Sequence, residues 1–291
     1  MKNVSKKPFL ALIVMIVVTA LTLSLAGCGP GQSKGSADGA AQEPAQEEPG
    51  EAQDPEAKDP LEEARDNKQE AQKVNTDNIT INTQSSIRIE GSKTIYIDPY
   101  KRTEAPHDAD LILITHAHYD HFDEPSLRNV CGEKTFIICP DSMNVEVEHL
   151  DLREKGRFAV GPDTVTKNME GLKGITIEAV PAYNLNKNFH PKANGWVGYV
   201  IKMDGVTYYA AGDTDALPEL EGVKCDIAFV PVGGTYTMTA EEAAGLINKI
   251  KPEIAVPIHY GTIVGTAADA DTFKAAVNSG IKVVTKVEDA K

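Results

Sequence analysis

Apolar and polar residues alternate along several stretches of the chain beyond residue 76, and this two-residue period is typical of half-buried β-strands. Two pairs of such stretches are separated by short turns, which predicts two β-hairpins. The four predicted strands cover residues 86–90, 94–98, 196–203 and 206–211. Asp204-Gly205, between the last two, is a strong signal for a tight hairpin turn.

Further short runs rich in apolar and β-branched residues predict the remaining strands. These cover residues 111–115, 134–138, 175–180, 226–232, 254–258 and 281–284. Helices are predicted between the later strands: Thr239-Ala240-Glu241-Glu242 is a capping box that opens a helix to about residue 250, and residues 268–278 form another. Hairpins followed by strands that alternate with helices predict an α/β layered sandwich.

The N-terminal segment has a different pattern, with three lysines ahead of an apolar run over residues 9–25. A basic start, an apolar centre and small residues before a cleavage point predict an export signal peptide over residues 1–27. The run is also about long enough to cross a membrane, so an uncleaved anchor is the alternative. Leu25-Ala26-Gly27-Cys28 resembles the lipobox of bacterial lipoproteins, which implies a lipidated Cys28 and an extracytoplasmic protein anchored to the cell membrane.

Residues 28–75 are rich in Glu, Gln, Ala, Pro and Gly and contain almost no large aliphatic side chain before Leu61. Such a segment cannot bury enough apolar surface to offset its ordering entropy, so we expect a disordered acidic linker ahead of a folded domain at 76–291. The formal net charge of the whole chain is −14, which disfavours binding to nucleic acid. We therefore expect no nucleic-acid partner.

The strongest chemical signal is the run His116-Ala117-His118-Tyr119-Asp120-His121, directly after the predicted strand 111–115. In extended backbone, alternate side chains share a face, so His116, His118 and Asp120 are expected to converge, and a turn after Tyr119 would bring His121 to a neighbouring position. Neutral imidazole is a common metal ligand, and mixed histidine and carboxylate sets suit zinc, manganese or iron. The run therefore predicts a metal site.

Four segments together resemble the metallo-β-lactamase superfamily of metal-dependent hydrolases, and they occur in the order found in that family. They are the strand ending in Asp98-Pro99, the HxHxDH run at 116–121, Gly212-Asp213-Thr214, and the strand 254–258 followed by His259. The resemblance covers residues 76–291 and implies a four-layer αββα sandwich and hydrolysis by metal-activated water. Within the superfamily, the sequence is most similar to the branch that includes the ascorbate-6-phosphate lactonases.

The same resemblance implies ligands for two divalent metal ions, zinc or else manganese. The implied set is His116 and His118 for the first ion, Asp120, His121 and His259 for the second, and Asp213 as a bridge. Many members carry a further histidine shortly after a strand ending in proline, but here that position reads Val180-Pro181-Ala182-Tyr183-Asn184. We predict the next histidine, His190, as the third ligand of the first ion. Asp120 is also the predicted catalytic residue, which orients or deprotonates the attacking water and passes a proton to the leaving group.

Residues near these ligands are predicted to orient them or to line the pocket. Asp98 could accept the second N–H of a ligand histidine and fix its tautomer, with stabilisation of the turn before Pro99 as the alternative. The predicted pocket residues, each of which could equally serve packing, are Tyr183, Asn184, Trp196 and Tyr236. Cys131 and Cys139 are expected to stay unpaired, because a predicted strand lies between them.

A lactone or another small ester is the predicted substrate, since the sequence looks most like the lactonase branch. Two alternatives remain open: a phosphodiester, as in a phospholipase D-like enzyme, and a non-catalytic lipoprotein that captures a metal ion or ligand. A catalytic site keeps a coordination position for water, whereas a capture site closes its shell with protein ligands. The implied ligands, shared by two ions, leave room for water, which favours an enzyme. The superfamily name alone does not support β-lactam hydrolysis.

Overall fold

The computed structural model describes residues 74–167 and 169–288, which fold into two β-sheets with helices. The predicted signal peptide at 1–27, the predicted lipidation site Cys28 and almost all of the predicted linker 28–75 lie outside these residues, so those assignments stay predictions. Within the described ranges, no helix is both long enough and apolar enough to cross a membrane.

The first sheet has six strands whose spatial order follows the chain. They are β1 (Ile79–Ile81), β2 (Ile87–Glu90), β3 (Thr94–Ile97), β4 (Leu111–Leu113), β5 (Phe136–Pro140) and β6 (Gly156–Val160). Strands β1 to β3 pair antiparallel, and β3 to β6 pair parallel. The first predicted hairpin is confirmed as the β2–β3 pair, in which Ile87 lies opposite Ile97.

The second sheet has seven strands, and strands that follow one another in the chain are also neighbours in this sheet. They are β7 (Val165–Lys167), β8 (Thr176–Pro181), β9 (Val197–Met203), β10 (Val206–Ala210), β11 (Ile227–Pro231), β12 (Ile254–Ile258) and β13 (Lys282–Val283). Strands β7 to β10 pair antiparallel, and β10 to β13 pair parallel. The second predicted hairpin is confirmed as the β9–β10 pair, in which Met203 lies opposite Val206.

The described residues also form four α-helices. They are α1 (Glu124–Val130), α2 (Asn144–His149), α3 (Ala240–Ile250) and α4 (Ala267–Ala276). Helix α3 begins at the predicted capping box: Thr239 Oγ1 accepts a hydrogen bond from Glu242 N, and Glu242 Oε2 accepts one from Thr239 N. Both predicted helices after residue 238 are therefore confirmed.

Strand alternation divides the first sheet between two apolar cores. Ile95 and Ile97 of β3 belong to the large core between the sheets, whereas Tyr96 belongs to a smaller core with residues of α1 and α2. Cys131 and Cys139 lie in this smaller core as free thiols, as predicted. On the far side of the second sheet, α3 contacts β11 and α4. Helices, sheet, sheet and helices in that order confirm the predicted four-layer αββα sandwich.

The sequence pattern does not predict four of these elements, namely β1, β6, β7 and α1, whereas the charge-rich stretch 144–150 is typical of the helix found there, α2. All three strands are sheet edges: partly exposed side chains weaken the apolar signal of β6 and β7, whereas β1 alternates regularly but is only three residues long. Helix α1 does carry a local signal, because the side chain of Asp123 accepts a hydrogen bond from Ser126 N and Pro125 lies in its first turn.

The residues of the predicted metal site follow the carboxyl ends of strands. Asp98 follows β3, His116 comes soon after β4, Asp213 soon after β10, and His259 follows β12. These strands have parallel neighbours in their sheets, and the carboxyl ends of parallel strands meet at one edge of a sheet. Four separate loops can therefore contribute to one site.

Candidate metal centre

The HxHxDH run is a turn and not the extended segment that the sequence predicts. Strand β4 ends before the run begins, and the amide N–H of His121 donates to His118 O at 2.9 Å. This turn separates His116 and His118 from Asp120, which lies with His121. The predicted extended conformation is therefore wrong, because a hydrogen-bonded turn replaces the alternation of a strand, although His118 and Asp120 still line one cavity.

Ligand-capable atoms of seven residues form two adjoining groups, and the atoms within each group lie within 4.8 Å of one another; Asp98, His116 and His121 also meet this distance, but Asp98 is a hydrogen-bond partner of His121. The first group is His116, His118, His190 and Asp213, and the second is Asp120, His121 and His259. In the first group, His116 Nε2 lies 3.1 Å from His118 Nδ1. This grouping is the one that the family resemblance implies, with His190 beside the first two histidines.

Asp213 lies between the two groups. Its Oδ2 is 3.3 Å from His190 Nε2 and 3.2 Å from His259 Nε2. Its Oδ1 is 3.3 Å from His121 Nε2, and His259 Nε2 is in turn 3.3 Å from Asp120 Oδ2. A carboxylate that bridges two metal ions requires this position.

The spacing and hydrogen bonding of these atoms fit divalent metal ions. Bonds of about 2.0–2.2 Å in a tetrahedral zinc shell put neighbouring ligand atoms roughly 3.3–3.5 Å apart, close to the separations around Asp213. Four buried atoms, His121 Nε2, His190 Nε2, His259 Nε2 and Asp213 Oδ1, make no hydrogen bond with any described residue. Buried polar atoms without partners are rare in folded proteins. Their lone pairs are available to a cation, so the donor set fits.

The charge of the site also favours a cation. Burial alone would raise the pKa of the Asp213 carboxyl, but His259 and His121 hold that pKa well below its usual range. Burial alone would lower the pKa values of His121 and His259, but the carboxylates, Asp213 first, raise them to about 8 and about 10. For His116, burial dominates and takes the pKa well below its ordinary value. Protons and metal ions therefore compete for the same nitrogens.

Asp98 and Thr115 orient two of the imidazoles. His121 Nδ1–H donates to Asp98 Oδ2 at 2.7 Å, which leaves Nε2 of that ring for a metal ion. Asp98 also accepts hydrogen bonds from Thr115 N at 2.8 Å and from Thr115 Oγ1 at 2.6 Å. Because the one hydroxyl proton of Thr115 goes to Asp98, Thr115 Oγ1 accepts from His116 Nδ1 at 2.9 Å. Asp98 thus has the geometry expected of a residue that fixes the tautomer of a ligand histidine. The role of Thr115 is not predicted from the sequence, in which the only signal is its position next to His116.

Two residues of the site have a strained backbone. Asp98 and His259 adopt left-handed conformations, with φ of 44° and 57°. For residues other than glycine, strain of this kind costs on the order of 1–3 kcal/mol and persists where the surrounding structure imposes it. The backbone of His259 is held by a hydrogen bond from its N–H to Gln84 O at 3.0 Å. The fold therefore gives up some stability to place these two side chains.

His190 is held by the side chain of Asn184. Asn184 Oδ1 accepts hydrogen bonds from His190 N at 3.0 Å and from His190 Nδ1 at 3.1 Å. The Asn184 amide nitrogen donates to Asp215 Oδ1 at 3.1 Å and to Tyr236 O at 2.9 Å. Asn184, which the sequence suggests as a pocket wall residue, thus orients a predicted ligand and is not among the residues that line the cavity described next.

Replacing Asn184 by alanine is expected to lower the affinity for zinc about 10- to 100-fold, because His190 loses the acceptor that fixes its ring. Competition with a chromophoric chelator measures this affinity. Asn186→Ala is the matched control, since Asn186 is exposed in the same loop, and it should bind zinc like the wild type. Equal affinities for the two variants would show that Asn184 does not position His190.

A cavity of about 230 Å³ opens onto both groups. It is lined by His118, Tyr119, Asp120, Phe189, Asp213, Tyr236, His259 and Ile263. The predicted pocket residue Tyr236 is part of this wall, and Trp196 packs against His116 and His118 with ring centroids 5.0 Å away in each case. Tyr183 does not line the cavity; its hydroxyl donates to Glu219 Oε1 at 2.7 Å, so it serves packing. Sequence reasoning misses Phe189, although it directly precedes His190.

Two adjoining histidine and aspartate groups at the strand ends of an αββα sandwich define a metallohydrolase. The family described as "Beta-lactamase superfamily domain" matches residues 77–260. The chain is 34% identical over 210 residues to a UPF0173 metal-dependent hydrolase of Pyrococcus abyssi, a match that covers 67% of this chain and 90% of the relative. The chain therefore belongs to the metallo-β-lactamase superfamily and is a metal-dependent hydrolase.

Solved structures agree with this assignment. A candidate metal-dependent hydrolase of Parabacteroides distasonis is 31% identical, with a TM-score of 0.62 and coverage of 73% of this chain and 93% of that one. The metallo hydrolase Igni18 of Ignicoccus hospitalis shares the fold. It is 23% identical, with a TM-score of 0.59 and coverage of 72% of this chain and 94% of that one. A hydrolase acts on a substrate, so the capture of a metal ion or ligand without catalysis is not retained as an alternative.

Proposed function

We propose that the two groups bind two zinc ions, with manganese as the other metal that suits them, and that the enzyme hydrolyses a lactone or another small uncharged ester. The observation that carries the proposal is the cavity of about 230 Å³, whose floor is Asp120, Asp213 and two of the histidines. Tyr119, Phe189, Tyr236 and Ile263 supply the rest of its lining, which contains no lysine or arginine among the described residues. A small, largely apolar cavity suits a compact uncharged substrate.

The residues of the chain have separate roles in this reaction. Divalent ions, when bound, supply Lewis acidity and lower the pKa of water toward neutrality. Asp98, Thr115 and Asn184 keep the imidazoles in fixed tautomers and orientations. Trp196 covers the histidines of the first group and excludes solvent from that side.

Asp120 is the proposed proton carrier. As the water oxygen forms a bond to the lactone carbonyl carbon, Asp120 takes a proton from that water. The ring C–O bond breaks, and the same proton passes to the departing alkoxide, which yields a hydroxy acid. The pKa of Asp120 leaves its carboxylate ionised and so able to accept this proton. Burial would raise that pKa, but His259 and His121 lower it, so the carboxylate is ionised at neutral pH.

Turnover of two substrate classes by the purified full-length chain tests the proposal. With zinc supplied, we expect hydrolysis of γ-lactones to exceed that of bis-p-nitrophenyl phosphate in kcat/KM. His116→Ala should abolish the lactone activity, whereas His149→Ala, at an exposed histidine of α2, should retain it. A higher kcat/KM for the phosphodiester would contradict the proposed substrate and favour the phospholipase D-like alternative.

We also propose that this enzyme works outside the cytoplasm, attached to the cell membrane through a lipid on Cys28. The support is the sequence Leu25-Ala26-Gly27-Cys28 at the end of an apolar run. Metabolic labelling with radioactive palmitate should mark the wild-type chain and leave Cys28→Ser unlabelled. Equal labelling of both would contradict the assignment.

A further inference from the structure

Exposed aromatic residues surround the opening of the metal site. Tyr119 is 63% exposed and Phe189 is 46% exposed, and both line the cavity together with the half-buried Tyr236 and Ile263. We call these four residues the apolar mouth. Exposed apolar side chains gathered around a cavity are typical of ligand-binding surfaces.

The geometry points to a binding subsite for an unbranched alkyl chain on the substrate: we propose that the apolar mouth holds this chain while the carbonyl group lies over the metal site. The proposal rests on the proposed esterase or lactonase function and deepens it. The mouth offers hydrocarbon and aromatic surface and two tyrosine hydroxyls, so contact with carbon, and not charge pairing, would provide the selectivity.

The mouth is held in place before any substrate arrives. Phe189 and Tyr236 pack edge to face, with ring centroids 4.7 Å apart. The loop that carries Phe189 is closed by a hydrogen bond from Asn184 N to His190 O at 2.8 Å, and the Asn184 side chain also donates to Tyr236 O at 2.9 Å. One asparagine therefore ties the segments that carry Phe189 and Tyr236 to the ligand histidine. A preorganised surface loses little entropy when it binds a chain.

The opposite wall is built similarly. The Tyr119 ring packs edge to face against Tyr100, with centroids 6.1 Å apart, and Tyr119 lies within the same turn as His118 and Asp120. An alkyl chain between these walls would contact residues that adjoin the ligands on both sides. Selectivity for chain length is thus expected to appear in the reaction itself and not only in ground-state binding.

A series of γ-lactones with increasing side chains tests the subsite on the zinc-loaded full-length enzyme. We expect kcat/KM to rise by about three- to fourfold for each buried methylene, or on the order of 100-fold from γ-butyrolactone to γ-octalactone. The Phe189→Ala variant should lower the ratio of the two kcat/KM values at least tenfold. Phe158→Ala is the matched control: Phe158 is 39% exposed on the edge strand β6, and its loss should leave the ratio unchanged.

A second measurement separates this subsite from the proposed reaction. Straight-chain hydroxamic acids, from acetohydroxamic to octanohydroxamic acid, bind metal sites without turnover, and calorimetry gives their affinities. Affinity that rises with chain length in the wild type but not in Phe189→Ala would support the mouth even if no lactone were hydrolysed, and only the proposed reaction would then fall. Affinity independent of chain length, or an equal loss of selectivity in Phe158→Ala and Phe189→Ala, would overturn the subsite.

Discussion

Replacing Asp213 by alanine is expected to lower kcat/KM by more than about 100-fold and to remove metal from both groups. Loss of an outer partner of a metal ligand already costs about 10- to 100-fold, and Asp213 lies directly between the two groups. Its two oxygens are 3.2–3.3 Å from the Nε2 atoms of His190, His259 and His121. Among the described carboxylates, Asp213 alone has oxygens within 4.0 Å of histidines of both groups.

The measurement for this variant combines hydrolysis rates with metal content after dialysis. Asp271→Ala is the control, because Asp271 is exposed on α4, and its activity and metal content should match those of the wild type. An Asp213→Ala enzyme that keeps both its activity and its metal would show that the carboxylate does not join the two groups.

Replacing Asp98 by alanine is expected to cause a loss of about 10- to 100-fold in metal affinity, with a matching loss of activity at limiting zinc. His121 would lose the acceptor of its Nδ1–H, and Thr115 would lose the acceptor that sets the direction of its hydroxyl group toward His116. The unpaired N–H of Thr115 is buried, which should lower the free energy of unfolding by about 1–3 kcal/mol.

Zinc titration distinguishes this positioning role from direct participation in the reaction. Activity of Asp98→Ala should recover as zinc is raised, since the ligand atoms themselves remain. Thr115→Val should show a smaller loss, because the hydrogen bond between Asp98 and His121 persists and only the His116 side is disturbed. A loss in Asp98→Ala that excess zinc cannot relieve would contradict the positioning role.

The sequence predicts the layered fold because its hairpins and buried parallel strands have strong local signals. The β2–β3 and β9–β10 hairpins follow from alternation and short turns, and α3 follows from its capping box. Edge strands such as β7 are not predicted from the sequence. Val165 in β7 is 46% exposed, and the strand does not alternate buried apolar residues with polar ones. Burial that comes from distant parts of the chain leaves no local pattern.

The candidate site likewise has some features that the sequence predicts and others that it does not. The residue types and order of the HxHxDH run predict a metal site, and the family resemblance predicts the partition into two groups. The backbone of the run is different from the prediction because the hydrogen bond from His121 N to His118 O closes a turn. The roles of Thr115 and Asn184 depend on hydrogen bonds at the ends of loops, and neither residue has a distinctive sequence signal.

Metal content tests the central claim, that two groups joined by Asp213 hold two divalent ions. Elemental mass spectrometry of the purified full-length chain, expressed with zinc and manganese supplied, should give about two equivalents for the wild type. His190→Ala, in the first group, and His259→Ala, in the second, should each give about one. One equivalent or less in the wild type, or two equivalents retained in Asp213→Ala, would contradict the account.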